Sequence, residues 1–97
     1  MSNIAYELLF LAEPTLEQER LAAIQERITN LISQGEGVVD SVDDWGIRRL
    51  AYQIKKFDEG RYILVNFQCP TSRIEALNKQ MRLMQDVLRF VVVRKGD

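Results

Sequence analysis

The sequence predicts an α+β domain whose elements run β-α-β-β-α-β. Three observations carry that prediction. Alternating apolar residues recur in four separate segments. Two other segments space their apolar residues three and four apart. Breaker and turn residues fall between them, at Glu13-Pro14, Gly35 to Gly37, Lys55 to Gly60 and Pro70.

The first strand is expected from Ile4 to Ala12. Tyr6, Leu8 and Phe10 alternate with Ala5, Glu7, Leu9 and Leu11, so both faces are apolar enough for a central strand. Pro14 ends it. Thr15 is the expected N-cap of the first helix, with Gln18 as its capping-box partner. Glu17 and Glu19 suit the positive end of the helix dipole. Leu21, Ile24, Ile28 and Leu31 form one apolar stripe, and Gly35 and Gly37 lie where a C-cap belongs.

A long second strand is expected from Val38 to Tyr52, with Trp45-Gly46 marking a bulge or bend. Lys55 to Gly60 reads as a turn. The third strand returns from Arg61 to Gln68, with Ile63, Val65 and Phe67 on one face and Tyr62, Leu64 and Asn66 on the other. Ser72 and Glu75 suggest a capping box for the second helix, whose core stripe is Ile74, Leu77, Met81 and Met84. The last strand is expected from about Leu88 to Arg94.

This order implies right-handed crossovers around a central hairpin. The result is a four-stranded antiparallel sheet with both helices on one face, the ferredoxin-like split βαβ arrangement. One domain spans residues 1–97. If Tyr6, Leu8, Phe10, Ile63, Val65, Phe67, Phe90 and Val92 face the helices, the other sheet face is left open. Leu9, Leu11, Tyr62, Leu64, Val91 and Val93 would then form an outward apolar patch. Such patches mark partner surfaces, although scattered exposed apolar residues are also common.

Composition excludes several function classes. At 46% hydrophobic and 28% charged, the chain reads as a globular protein without a disordered bias. No apolar run approaches the roughly 20 residues of a membrane span. Met1-Ser2-Asn3 lacks the basic region of a secretory signal, so none is expected. With no histidine and one cysteine, Cys69, the commonest general base, the commonest metal ligand and an internal disulfide are all missing. A reduced cytoplasmic setting follows as the simpler expectation. Glu13-Pro14 after the first strand cannot cradle a phosphate, and no Gly-rich loop or nucleophile elbow appears. Asp43-Asp44 and Asp58-Glu59 read as solvated pairs. No catalysis, metal, cofactor, membrane or small-molecule substrate is expected.

Charge is divided along the chain. Residues 1–44 set two arginines against nine carboxylates, a net of −7, and residues 45–97 set eleven cations against five carboxylates, a net of +6. The split fits either an anion-binding surface or two halves that neutralise each other. Its centre is the hairpin, where Arg48, Arg49, Lys55, Lys56 and Arg61 cluster. Guanidinium groups inside an apolar strand need water or a partner. They would bind phosphates of structured RNA, or pair with Asp40, Asp43 and Asp44. Base stacking as in an RNA-recognition motif is a poor fit, because only Tyr62 of the third strand could stack from the open face.

The run Trp45-Gly46-Ile47-Arg48-Arg49-Leu50-Ala51-Tyr52-Gln53-Ile54 closely resembles the Gly-x-Arg-Arg-Leu-Ala-Tyr-x-Ile signature of bacterial small-subunit ribosomal protein number six, the bS6 family. Tyr6-Glu7 is similar to that family's opening strand and Val87 to Lys95 to its last, so the resemblance covers nearly the whole chain. It implies the same fold and a structural role in the small ribosomal subunit, in the cytoplasm. It also implies binding to the central domain of 16S ribosomal RNA together with ribosomal protein number eighteen. By resemblance, Arg48, Arg49 and Tyr52 lie at the RNA or partner contact, with Lys55, Lys56 and Arg61 completing the basic hairpin. The open face, with Leu9, Leu11, Tyr62, Leu64, Arg89, Val91 and Val93, would dock protein eighteen. Leu50 and Ala51 would be structural.

Two departures bear on this. The family often carries basic residues just before Tyr-Glu, whereas Ser2, Asn3, Ile4 and Ala5 are uncharged, so no N-terminal arginine contact is expected. The sequence ends at Lys95-Gly96-Asp97, so no long tail is expected to wrap the partner. The other reading of the same features is a ferredoxin-like regulatory or protein-interaction module that self-associates through its open face.

Overall fold

A computed structural model describes residues 3–96; Ser2 and Asp97, which bear on the two terminal expectations, lie outside the described residues. The strands are β1 (Ile4–Ala12), β2 (Val38–Ile54), β3 (Phe57–Cys69) and β4 (Val87–Arg94). The helices are α1 (Gln18–Gln34) and α2 (Ile74–Arg82), the latter preceded by a 3-10 turn at Thr71–Arg73. The sheet order is β2-β3-β1-β4, and every neighbouring pair is antiparallel. This is the expected ferredoxin-like arrangement.

Period-two alternation decides which face is buried. Tyr6, Leu8 and Phe10 of β1 and Ile63, Val65 and Phe67 of β3 sit opposite one another and are buried. They pack against Leu21, Ile24, Ile28 and Ile32 of α1 and Leu77 and Met81 of α2. Removing a fully buried side chain such as Leu8 would cost about 2–5 kcal/mol, from lost transfer energy and the cavity left behind. Phe90 and Val92 of β4 pack on this core from the sheet edge and stay partly exposed.

The helix starts differ from expectation. Thr15 is not an N-cap: Glu17 holds that position, without a side-chain cap bond. The chain first turns at Glu13, whose carbonyl accepts from the Leu16 N–H, and that turn takes up the residues a capping box would need. Ser72 does not cap α2, because it already lies inside the 3-10 turn that runs into the helix. The neighbouring Thr71 hydroxyl instead accepts a 3.1 Å bond from the Tyr6 hydroxyl, tying the turn to β1. In α1 the innermost residue of the last turn is Ile32, with Leu31 partly buried beside it. Gly35 does take the C-cap position.

The central hairpin is longer than expected. β2 continues to Ile54 and β3 starts at Phe57, so the turn is Lys55-Lys56 alone and Asp58 to Gly60 belong to the strand. Both lysines have positive φ, 49° and 71°. Two residues with φ > 0 match the right-handed strand twist, but Asn-Gly is the usual sequence for such a turn. Strand β4 likewise begins at Val87, one residue early. A register shift opposite Leu11 and Ala12 leaves Leu88 as the extra residue there.

Candidate functional site

The site is built by the hairpin leaving the sheet. β1 pairs with β3 only from Arg61 to Cys69, so Phe57 to Gly60 and the facing part of β2 extend past β1. Its base is shaped at Trp45-Gly46. Gly46 has φ +82, and the register shifts by one residue there, as a bulge requires. Asp44 holds this bulge with both oxygens. Its Oδ1 accepts from the Gly46 N–H at 2.8 Å, and its Oδ2 accepts from Arg61 at 2.8 Å.

The salt-bridge reading of the basic cluster therefore applies to Arg61. Arg61 pairs in register with Ala12 and Ile47, on the helix side of the sheet, and its charge is matched by Asp44. Such a part-exposed pair contributes up to about 1 kcal/mol. Neither Arg48 nor Arg49 forms an ion pair among the described residues.

Register also assigns the two arginines to opposite sides. Arg48 faces Gly60 and follows the open face, whereas Arg49 faces Glu59 and follows the helix side. The Arg48 guanidinium lies 5.3 Å from the Trp45 ring centre and 6.0 Å from that of Tyr62. Each exposed cation–π contact is worth about 0.5–1 kcal/mol, and neither uses the guanidinium N–H donors in an ion pair. Gly60 opposite it has no side chain to compete for the space. Trp45 was not among the residues expected at the site. The available signal was its position beside the bulge glycine, three and four residues before the arginines.

Farther out, Tyr52 is 60% exposed. Its hydroxyl accepts a 2.6 Å bond from Arg89 of β4, and the guanidinium lies 5.5 Å from its ring centre. Lys55 and Lys56 form the exposed tip. Arg48, Tyr52 and Arg89 thus share one end of the open face, while Arg49 and Arg61 lie on the reverse side.

The open face is ordered in rows across the sheet. Leu64, Leu9 and Val91 form one row, Tyr62, Leu11 and Arg89 the next, and Asn66, Glu7 and Val93 the one on the other side. Val91 and Val93 are each 49% exposed, and Leu9, Leu64 and Tyr62 are half-buried. Leu11 corrects the expected patch: only 9% exposed, it is floor and not contact surface. A polar border runs along the far end, where Asn66 accepts from Lys95 and donates to Ser41, and Gln68 donates to Asp40.

Nothing in this arrangement resembles reaction chemistry. Among the described residues, no group of three or more cysteine, aspartate and glutamate side chains could hold a metal ion. Among the described residues, no helix is long and apolar enough to cross a membrane. Cys69 is buried, and burial pushes its thiol pKa up, away from the reactive thiolate.

Comparison with known proteins gives a consistent assignment. The family model for ribosomal protein S6 matches residues 5–94. Small ribosomal subunit protein bS6 of Heliobacterium modesticaldum is 41% identical over 92 residues, covering 95% of this chain and 96% of the relative. The bS6 protein of Carboxydothermus hydrogenoformans is 38% identical, covering 93% and 94%. The crystal structure of 30S ribosomal protein S6 from Thermotoga maritima superposes with a TM-score of 0.90 at 29% identity, over 97% of this chain and 89% of that one. The chain belongs to the ribosomal protein S6 family, a family of non-enzymatic structural constituents of the small ribosomal subunit.

Proposed function

We propose that this small-subunit protein binds the central domain of 16S ribosomal RNA cooperatively with ribosomal protein number eighteen, within the cytoplasmic ribosome. Residues 1–97 act as one domain. The overhanging hairpin takes the RNA, through Arg48, Arg49, Tyr52, Lys55 and Lys56, with Arg61 at its base. The open face takes protein eighteen on Leu9, Leu64, Val91 and Val93. Tyr62 and Arg89 stand where the two surfaces meet, and Leu11 lies beneath them.

One observation supports this reading most. Arg48 lies over the Trp45 and Tyr62 rings at the junction of hairpin and open face, with no carboxylate paired to it among the described residues. A cation fixed in that way suits a backbone phosphate beside a protein partner. The test is co-binding of the chain, protein eighteen and a central-domain RNA fragment, with each component omitted in turn. Tight retention should need all three. Equally tight retention without protein eighteen would remove the cooperative part.

A further inference from the structure

We propose a second phosphate contact, a cationic notch at the end of the sheet formed by Lys55, Arg82 and Arg89, which takes a phosphodiester of RNA. It rests on the RNA binding proposed above and extends it: Lys55 and Arg89 already belong to those surfaces, and Arg82 is the cation added. Arg82 lies outside both the hairpin and the open face.

Three elements converge there. Lys55 comes from the β2–β3 turn, Arg82 is the last residue of α2, and Arg89 belongs to β4. They line an open hollow of about 300 Å³ floored by Met81, Leu88 and Phe90. All three cations are exposed, and no carboxylate lines the hollow among the described residues. An apolar floor under exposed cations lowers the local dielectric and strengthens their pull on an anion.

One local field opposes an anion here. The C-terminal end of α2 presents carbonyls, and the dipole effect there is worth about 0.3–1 kcal/mol within the last turn. The Gln80 and Met81 carbonyls are already engaged by the N–H groups of Leu83 and Met84. Three converging cations outweigh what remains. Arg89 is also positioned in advance, because its bond to Tyr52 fixes the guanidinium and lowers the entropy lost on binding.

Continuity favours RNA over an acidic protein segment. Arg89 belongs to both the open-face edge and the hollow. A polyanion engaged at Arg48 can pass Arg89 to Arg82 along basic surface. Regular phosphates match such a row of cations, whereas isolated carboxylates would match one position at a time.

The test is RNA affinity of the full chain with protein eighteen present, measured across a salt series. Lys55→Asn with Arg82→Gln removes two charges. Asn tolerates the left-handed backbone at position 55, so the turn is kept. Affinity should fall about tenfold or more, and the salt slope should become shallower by roughly one to two units. Arg82→Lys should keep the parent slope. Arg82→Gln alone isolates the notch from the hairpin: affinity and slope equal to the parent's, with the parent binding normally, would overturn the notch and leave the hairpin contact at Lys55 standing. A parent chain that fails to bind the RNA would overturn the notch and the RNA reading together. If the double variant does not fold, Arg82→Gln against Arg82→Lys, both on the helix surface, gives the same comparison.

Discussion

The Arg89 guanidinium donates a 2.6 Å hydrogen bond to the Tyr52 hydroxyl and lies 5.5 Å from the centre of the same ring. The two residues sit on β4 and β2, the two edge strands of the sheet. The hairpin therefore bends across the end of the sheet and closes on the far edge. Leu11, which pairs in register with both Arg89 and Tyr62, is 9% exposed even though its register position faces outward. Hairpin and open face are one continuous surface because of this contact.

Tyr52→Phe removes the hydrogen bond and keeps the ring. Global stability should change by less than about 1 kcal/mol, since the bond is exposed. Tyr52→Ala removes both contacts and should free the tip. Amide exchange at Gln53 to Phe57 should then quicken while the core amides stay protected. Identical tip exchange in Tyr52→Ala and the parent would mean that Arg89 does not hold the hairpin.

Gly46 and Gly37 resist substitution for different reasons. A Cβ at Gly46 would meet nothing within 4 Å, so Gly46→Ala tests its φ of +82 alone and should cost about 1–2 kcal/mol. A Cβ at Gly37 would lie 2.5 Å from the Gln68 carbonyl and 2.7 Å from Ile32. Backbone is in the way there, so Gly37→Ala should cost more than Gly46→Ala. Urea unfolding of both variants ranks them. The reverse order would place the greater strain in the bulge and not in the contacts around Gly37.

Much of the fold is legible because it rests on many residues at once. The alternation of Tyr6, Leu8 and Phe10 against Ile63, Val65 and Phe67 fixes which face is buried, and no single contact decides it. Caps are different. A cap is worth about 1 kcal/mol, and local turn geometry overrides it easily, as at Ser72, which lies inside the 3-10 turn that Thr71 ties to Tyr6. The hairpin tip is illegible because Lys-Lys is not a sequence that favours φ > 0. The composition of the site is readable from the arginine pair, but its sidedness is not. Register shifts at Asp40 and Trp45 change the strand's parity twice before Arg48 is reached.

That sidedness separates the two arginines. Arg48 is stacked and lies at the junction of hairpin and open face, whereas Arg49 faces the helix side opposite Glu59. Arg48→Ala should weaken ternary assembly with RNA and protein eighteen about tenfold, with a shallower salt slope. Arg49→Ala should have a smaller effect on the cooperative step. Equal losses would indicate that the RNA wraps both sides of the hairpin.

The Lys55-Lys56 turn carries a stability cost. L residues other than Asn and Asp adopt φ of 49° and 71° at about 1 kcal/mol each. Replacing the pair with Asn-Gly should raise the free energy of unfolding by about 1 kcal/mol, read from the denaturation midpoint. The same variant should bind RNA less tightly, because two cations are gone. Higher stability with weaker binding would show that the lysines are kept for their charge. Unchanged stability would mean that the surrounding strands relax around the turn.

Cys69 offers a pH test of the core. The thiol is 2% exposed at the end of β3, and desolvation pushes its pKa above the ordinary value. Burial favours the neutral form, so the folded state keeps the proton longer than the unfolded chain. This contribution is in place at neutral pH and is lost as pH rises from the unfolded thiol's value through the raised folded one. A disulfide reagent should therefore label the native protein far more slowly than the unfolded protein at pH 7. Denaturant should speed labelling in step with unfolding. Cys69→Ser should abolish the alkaline loss of stability that the thiol causes, at the expense of a buried hydroxyl. Fast labelling of the native protein at neutral pH would mean that the end of β3 opens independently of the core.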